Sequence, residues 1–142
     1  IALGPSLYTC MDAAKKIKES YGLETEVIDL RWINPLKYEM LVESVRKTGR
    51  AVLVTDSAER GSYLQTVAAN LSRLAFDYLD APVVVVGSQN WITPPAEMED
   101  YYFPQIDSII DTIHEQVLPL PGHQTRRNKT DGEFRRTSAK GV

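Results

Sequence analysis

The chain has 142 residues, of which 43% are hydrophobic and 25% are charged, which is average for one globular domain with its own core. Its single cysteine excludes an internal disulfide framework and fits a reducing compartment, and no apolar run approaches the roughly 18 residues of a membrane helix. The net charge of −3 is uneven, because residues 123–142 carry six basic against two acidic side chains, or +4, which leaves −7 on residues 1–122.

The first half of the chain alternates between short apolar runs and amphipathic segments. Residues 1–4, IALG, predict the end of a strand, and apolar residues at helical spacing then predict a helix that stops at Gly22. Residues 24–30, ETEVIDL, predict a second strand. A second helical stripe closes at Gly49, and AVLVT at residues 51–55 predicts the next strand.

The second half continues this alternation. Apolar residues from 64 to 78, including Leu74, predict the most regular helix of the chain. Gly61 is expected to start this helix, with the Asp56 carboxylate near its exposed N–H groups. VVVVG at residues 83–87 is short and β-branched, which predicts a buried strand, and residues 106–117 predict a closing helix. Apolar strands separated by amphipathic helices predict a doubly wound α/β domain, with a mostly parallel sheet of four strands covered on both faces.

The last twenty residues differ from the rest in composition. Residues 123–142 lack periodicity, contain one large hydrophobe, Phe134, and follow the Pro-Leu-Pro-Gly run at 119–122. We therefore predict an α/β domain over residues 1–122 and a basic, disordered tail over residues 123–142. A solvated terminus is the favoured reading of this tail, and contact with nucleic acid or an acidic partner is the alternative.

Motifs for common chemistry are missing from the loops that follow the predicted strands, where such sheets bind ligands. The turn after residues 1–4 lacks the dinucleotide glycine fingerprint, and no lysine-bearing phosphate loop occurs. Ser57 lacks the flanking glycines of a nucleophile elbow, and two histidines with one cysteine offer few metal ligands. The sequence therefore predicts no catalytic, cofactor-binding or metal-binding residue.

Charged and aromatic residues at the same predicted edge favour contacts over catalysis. Arg31 follows a strand and is expected to pair with Asp29 or Asp56, and a structural ion pair is favoured over a substrate-anion contact. Trp91 and the aromatic residues at 101–103 are bracketed by prolines, which is typical of interface anchors. The alternative is that these rings cover the end of the sheet as core.

Four segments together resemble a known family. They are TEVIDLRWINPL, LVESVRKTGRAVLVTDSAERGSY, AFDYLDAPV and PPAEMEDYYFP, at residues 25–36, 41–63, 75–83 and 94–104. In this order and spacing they resemble the C-terminal domain of transketolase-like thiamine-diphosphate enzymes, over about residues 1–118. The resemblance is greatest to the β subunit of the decarboxylating component of 2-oxo acid dehydrogenase complexes, of the pyruvate or branched-chain type.

This resemblance implies a three-layer α/β/α domain with a five-stranded sheet, whose first, antiparallel strand would precede Ile1. It implies a parent enzyme that decarboxylates a 2-oxo acid on thiamine diphosphate with Mg²⁺ and passes the acyl group to a lipoyl domain. The cofactor-activating glutamate would lie in a separate pyrimidine-binding domain, and the diphosphate site on an α subunit or another domain. This domain alone is therefore expected to be inactive.

The segment at residues 55–66 departs from the family pattern His-Glu-Ala-Pro-x-x-Gly-Gly-Phe-Gly-x-Glu. The residues that keep its character are Asp56, Gly61 and Tyr63, and those that differ are Thr55, Ser62, Leu64 and Thr66. These differences leave two alternatives open. One is a transketolase or a deoxyxylulose-phosphate-synthase-like enzyme with the same domain, and the other is a stand-alone α/β module that binds a small anion at residues 55–63.

The resemblance assigns the domain to subunit contacts. The implied partners are a homo- or hetero-oligomer mate, an α subunit or domain, and the dihydrolipoyl acyltransferase core, with no membrane and no nucleic acid. The implied location is the cytoplasm, or the mitochondrial matrix in a eukaryote. The candidate residues at a subunit interface or channel mouth are Arg31, Asp56, Arg60, Gly61, Tyr63, Trp91, Glu99 and Tyr102.

Limited proteolysis tests the predicted tail. Because no hydrophobic stripe anchors residues from about His123 onward, trypsin should cleave after Arg126 or Arg127 long before it cleaves the body of the domain. Mass spectrometry of the first fragments identifies the cleavage site. A first cleavage within the body, with both tail arginines protected, would show that the tail docks.

Overall fold

The computed structural model describes residues 1–125. Its strands are β1 (Ala2–Leu3), β2 (Val52–Ala58) and β3 (Val84–Ser88), and its helices are α1 (Ser6–Tyr21), α2 (Tyr38–Thr48), α3 (Tyr63–Leu74), α4 (Glu99–Tyr102) and α5 (Ile106–Gln116). Short 3₁₀ turns lie at Phe76–Tyr78 and Ala96–Met98. In this part of the chain, no helix has the length and apolar character needed to cross a membrane.

The sheet has the order β1-β2-β3, and both strand pairs are parallel. Val54 of β2 lies between Ala2 of β1 and Val86 of β3. On the other side of β1, Asp29 forms one parallel bridge with Ala2. There Ala2 donates its N–H to the Ile28 carbonyl at 2.8 Å, and Leu30 donates to the Ala2 carbonyl at 2.9 Å.

The sheet is smaller than the four to five strands expected, with three strands and one bridge among residues 1–125. The predicted strand at residues 24–30 was wrong in extent. Its neighbour in the sheet, β1, is only two residues long and offers partners to the last residues of the segment alone. Glu24, Thr25 and Glu26 are accordingly exposed.

Each face of the sheet is covered by two helices. Leu53 and Val85 pack with α2 and α3 on one face, whereas Val54 and Val86 pack with α1 and α5 on the other. Successive residues of a strand point to opposite faces, so residues adjacent in sequence within β2, and likewise within β3, pack into different cores. This arrangement confirms the predicted three-layer α/β/α architecture.

Two predicted helix ends are confirmed, and one is not. Gly22 and Gly49 follow α1 and α2 with φ of 67° and 70°, and each donates its N–H to the fourth residue before it. This left-handed conformation costs glycine little, which makes it a common helix terminator. The helix predicted over residues 64–78 ends at Leu74 and is followed by the 3₁₀ turn.

Strand β2 runs three residues further than predicted and contains an irregularity. Val54 faces Val86, but Ala58 faces Ser88, so four steps along β2 match two along β3. The extra residues bring the β2 backbone onto Gly87, where a Cβ would lie 2.6 Å from Glu59 Cα. Glycine at this position therefore permits the close approach of the two strands.

Helix α3 offers a matched pair of leucines for a stability test. Leu71 is fully buried, whereas Leu74, which the sequence pattern placed on the same apolar stripe, is 48% exposed. Leu71→Ala should lower the free energy of unfolding by about 2–5 kcal/mol through lost contacts and a cavity. Leu74→Ala should change it by only about 0.5 kcal/mol. Urea denaturation measures both, and equal losses would contradict this assignment of burial.

Candidate functional site: the carboxyl edge of the sheet

Because the strands are parallel, the segments that follow them meet at one edge of the sheet, which we call the carboxyl edge. Residues 4–5 follow β1, and residues 31–37 follow the bridge at Asp29. Residues 59–62 follow β2, and residues 89–98 follow β3. Arg31, Arg60, Gly61 and Trp91 lie on these segments, and Tyr63 and Glu99 lie directly beside them. Asp56 lies within β2, and Tyr102 lies at the end of α4.

The turn between β2 and α3 is held by hydrogen bonds to the last residue of β3 and to the segment after it. Glu59 donates its backbone N–H to the Ser88 carbonyl at 3.1 Å, and Arg60 donates its backbone N–H to Asn90 Oδ1 at 3.0 Å. Gly61 has a φ of 73°, and a Cβ there would meet no atom within 4 Å. Glycine at position 61 therefore permits the left-handed backbone of the turn, and no neighbouring atom occupies the space where a side chain would start.

Two expectations for this turn are corrected. Gly61 was expected to start α3, but the helix begins at Tyr63, with Ser62 as its N-cap. Asp56 was expected to interact with the helix N-terminus, but it is an exposed residue within β2, and α3 has no side-chain cap. The extension of β2 to Ala58 is the reason, because it moves the acid out of the loop and into the strand.

Tyr63 joins two segments of the carboxyl edge. Its hydroxyl donates to the Ile33 carbonyl at 2.9 Å, while 40% of the residue stays exposed. Burial, with a smaller contribution from Tyr38, raises the pKa of the Tyr63 phenol. Trp32 and Ile33, on the segment that Tyr63 holds, are 73% and 43% exposed. Two segments of the carboxyl edge that one hydrogen bond joins therefore carry three exposed apolar side chains.

Arg31 pairs with Asp29, one of its two expected partners. Its Nε and Nη2 both lie 3.1 Å from Asp29 Oδ2. The arginine side chain is 85% exposed, so this ion pair contributes little to stability. The contact favours the structural reading of Arg31.

One of the aromatic residues after β3, Tyr102, is buried. Tyr102 is only 7% exposed, and its ring centroid lies 4.9 Å from that of Phe103 and 6.4 Å from that of Trp91. Its carbonyl also accepts the Gln89 N–H at 3.0 Å. Tyr102 therefore covers the end of the sheet, as the alternative reading stated. Glu99, the first residue of α4, is exposed.

Four backbone donors at this edge are already used within the chain and do not face the position of a diphosphate. The N–H groups of Leu7, Tyr8, Glu59 and Arg60 are donated to Gly4, Pro5, Ser88 and Asn90, all within the chain. Among residues 1–125, no three His, Cys, Asp or Glu side chains lie close enough together to hold a metal ion. The geometry suits contact with another surface.

A second polar cluster, which the sequence did not predict, lies between α1 and α5. Asp111 Oδ1 lies 2.6 Å from His123 Nε2, and His123 Nδ1 lies 2.6 Å from the Tyr21 hydroxyl. The expected domain boundary placed His123 in the tail, but these contacts tie His123 to the body. Residues 126–142 lie outside the described part of the chain, so the rest of the tail stays a prediction. No regular spacing links an acid on α5 to a histidine twelve residues later.

Comparison with known proteins gives a family match that includes all residues of the carboxyl edge. Residues 1–109 match the family model described as transketolase, C-terminal domain. The chain is 32% identical over 114 residues to the pyruvate dehydrogenase E1 component subunit beta of Rhizobium meliloti, which covers 80% of this chain and 25% of that protein. It is 36% identical over 107 residues to the mitochondrial subunit beta of Saccharomyces cerevisiae, with 74% and 29% covered.

The subunit beta of Staphylococcus aureus is 34% identical over 117 residues, which covers 82% of this chain and 36% of that protein. The chain thus spans between 25% and 36% of the length of these three relatives. The family match includes all eight candidate residues, from Arg31 to Tyr102. This chain belongs to the transketolase C-terminal domain family.

Proposed function

We propose that this chain is the C-terminal subunit-contact domain of a β-type chain in a thiamine-diphosphate-dependent 2-oxo acid dehydrogenase. The observation that carries the proposal is the apolar surface at the carboxyl edge. Trp32, Ile33, Tyr63 and Ile92 are 73%, 43%, 40% and 94% exposed. Large apolar side chains grouped on one edge mark a site of protein contact.

The loops that carry these side chains are tied to one another. The Tyr63 hydroxyl binds the segment after Asp29, and the backbone of Arg60 binds Asn90 on the segment after β3. Loops that are already ordered lose little conformational entropy when a partner binds. Aromatic side chains on such loops are typical anchors of interfaces, which supports a contact role for Trp32 and Tyr63.

The proposed parent enzyme decarboxylates a 2-oxo acid and passes the acyl group to a lipoyl domain. The names of the three relatives favour pyruvate as the 2-oxo acid. Thiamine diphosphate with Mg²⁺ would supply the decarboxylation chemistry, at a site outside the carboxyl edge. Residues 1–125 would shape the subunit contact and the mouth of the channel through candidates such as Arg60, Trp91 and Glu99.

The proposed partners are a mate of the same or another chain, an α subunit or domain, and the dihydrolipoyl acyltransferase core. The proposed location is the cytoplasm, or the mitochondrial matrix in a eukaryote, and the yeast relative is named as mitochondrial. The relatives' names favour this assignment over a transketolase or a deoxyxylulose-phosphate synthase. An anion-binding module is disfavoured, because the N–H groups of Glu59 and Arg60 are donated within the chain.

Substitutions at the carboxyl edge should weaken association. Trp32→Ala and Tyr63→Ala should each weaken self-association or binding of a neighbouring subunit by about 1–2 kcal/mol, the scale of an interface aromatic. Phe76→Ala is the matched control, because Phe76 is 76% exposed but precedes β3 and so lies away from this edge. Tyr63→Phe keeps the ring and loses only the bond to Ile33, so it should have the smaller effect.

Sedimentation velocity over a concentration series measures association, and circular dichroism checks the fold of each variant. The proposal fails if Phe76→Ala weakens association as much as Trp32→Ala does. It also fails for Tyr63 if Tyr63→Ala leaves association unchanged and lowers the melting temperature, because the ring would then act only within the fold.

The chain on its own should not bind thiamine diphosphate. The N–H groups of Glu59 and Arg60, which could otherwise face a diphosphate at this edge, are donated within the chain. Calorimetric titration of the chain with thiamine diphosphate and Mg²⁺ should give only heats of dilution, and the chain should decarboxylate no 2-oxo acid. Saturable binding in the micromolar range would contradict this expectation.

A further inference from the structure

Residues 117–125, which we call the strap, follow α5 and lie against both α5 and α1. Leu118 donates its N–H to the Ile113 carbonyl at 2.8 Å, and Leu120 donates its N–H to His114 Nδ1 at 2.8 Å. The Leu120 side chain is 2% exposed and packs in the core between α1, α5 and the sheet. The strap is therefore part of the folded body.

The far end of the strap is held by a chain of two side-chain hydrogen bonds. His123 binds the carboxylate of Asp111, on α5, through Nε2 and the hydroxyl of Tyr21, on α1, through Nδ1, both at 2.6 Å. The Asp111 side chain is fully buried, and the His123 side chain is 10% exposed. A buried carboxylate needs donors, so the neutral ring carries its proton on Nε2, and Nδ1 then accepts from Tyr21.

Two hollows lie beside the strap. A polar hollow of about 340 Å³ is lined by Lys16, Ser20, Tyr21, Asp107, Gly122 and His123, among others. An apolar groove of about 420 Å³ is lined by Ile17, Ile113, Leu118 and Leu120, among others. Lys16 and Asp107 form an ion pair at 2.5 Å that joins α1 to α5 without the strap. The contact between the two helices can therefore persist when the strap is released.

We propose that Asp111, His123 and Tyr21 form a latch that holds the strap closed over α1 and α5. When the latch is broken at His123, the strap opens as a unit and uncovers Leu120, while the three-layer body stays folded. In the sequence, the strap is followed directly by the basic residues 126–142. This inference is independent of the function proposed above.

Hydrogen–deuterium exchange of the full chain tests the latch. In His123→Ala, the amide hydrogens of residues 117–125 should exchange about tenfold faster or more, the factor for loss of about 1.4 kcal/mol of hydrogen bonding. Tyr21→Phe removes one of the two bonds and should give a smaller increase. Gln124→Ala, at an exposed strap residue, is the matched control and should leave the rate unchanged.

Peptides from α3 report on the rest of the fold in the same experiment. In the wild type, residues 117–125 should exchange faster than α3, because opening of the strap does not require unfolding of the body. Unchanged exchange of the strap in His123→Ala would overturn the proposal. Equal protection of the strap and α3 in the wild type would also overturn it, since the strap would then open only when the whole domain unfolds.

Nitrogen NMR of the histidine rings supplies a second readout that does not depend on any substitution. The ring signals of neutral His123 should show the tautomer protonated at Nε2, because Nε2 faces the Asp111 carboxylate. Tyr21→Phe should preserve this tautomer while it speeds exchange of the strap. A ring protonated at Nδ1 would contradict the proposed direction of both hydrogen bonds.

Discussion

The parallel pairing of β2 with β1 on one side and β3 on the other is the constraint on which the domain depends. Leu53 and Val54, adjacent in β2, are 0% and 2% exposed and belong to different cores. One strand therefore joins the α2–α3 layer to the α1–α5 layer. Because all strands run in the same direction, the segments after them meet at one edge, and the candidate contact surface is a consequence of the sheet.

The irregularity in β2 determines the character of that edge. It brings the β2 backbone onto Gly87 and places the N–H groups of Glu59 and Arg60 against the segment after β3. Donors that an anion site would use are thereby committed to internal bonds. Large apolar side chains such as Trp32 and Ile92 remain exposed at this edge, beside charged ones such as Arg31. This combination favours protein contact over chemistry, in agreement with the proposed role of the domain.

The α1–α5 face is closed in a different way from the α2–α3 face. The core under α2 and α3 contains apolar side chains such as Leu53 and Leu71. The core under α1 and α5 is completed by Leu120 from the strap, and a buried carboxylate, Asp111, lies beside it. Such a carboxylate is tolerated only with hydrogen-bond donors, and His123 is one of them. The latch thus supplies a hydrogen-bond donor that the buried Asp111 carboxylate needs.

Residue pattern alone determined the features that depend on local spacing and composition. It predicted the alternation of strands and helices, the helix ends at Gly22 and Gly49, and a parallel sheet covered on both faces, and four collinear segments identified the family. These features follow from the sequence because burial of one face imposes a period of two or 3.6 residues on each element.

The tertiary structure alone decided which residues meet. It shortened the strand at residues 24–30 to one bridge, because β1 is two residues long. It buried Tyr102, left Leu74 exposed, and tied His123 to Asp111. Periodicity reports which side of an element is apolar, but it does not report where the neighbouring elements end. Pairings between distant residues depend on how the elements dock, so they could not be predicted from spacing.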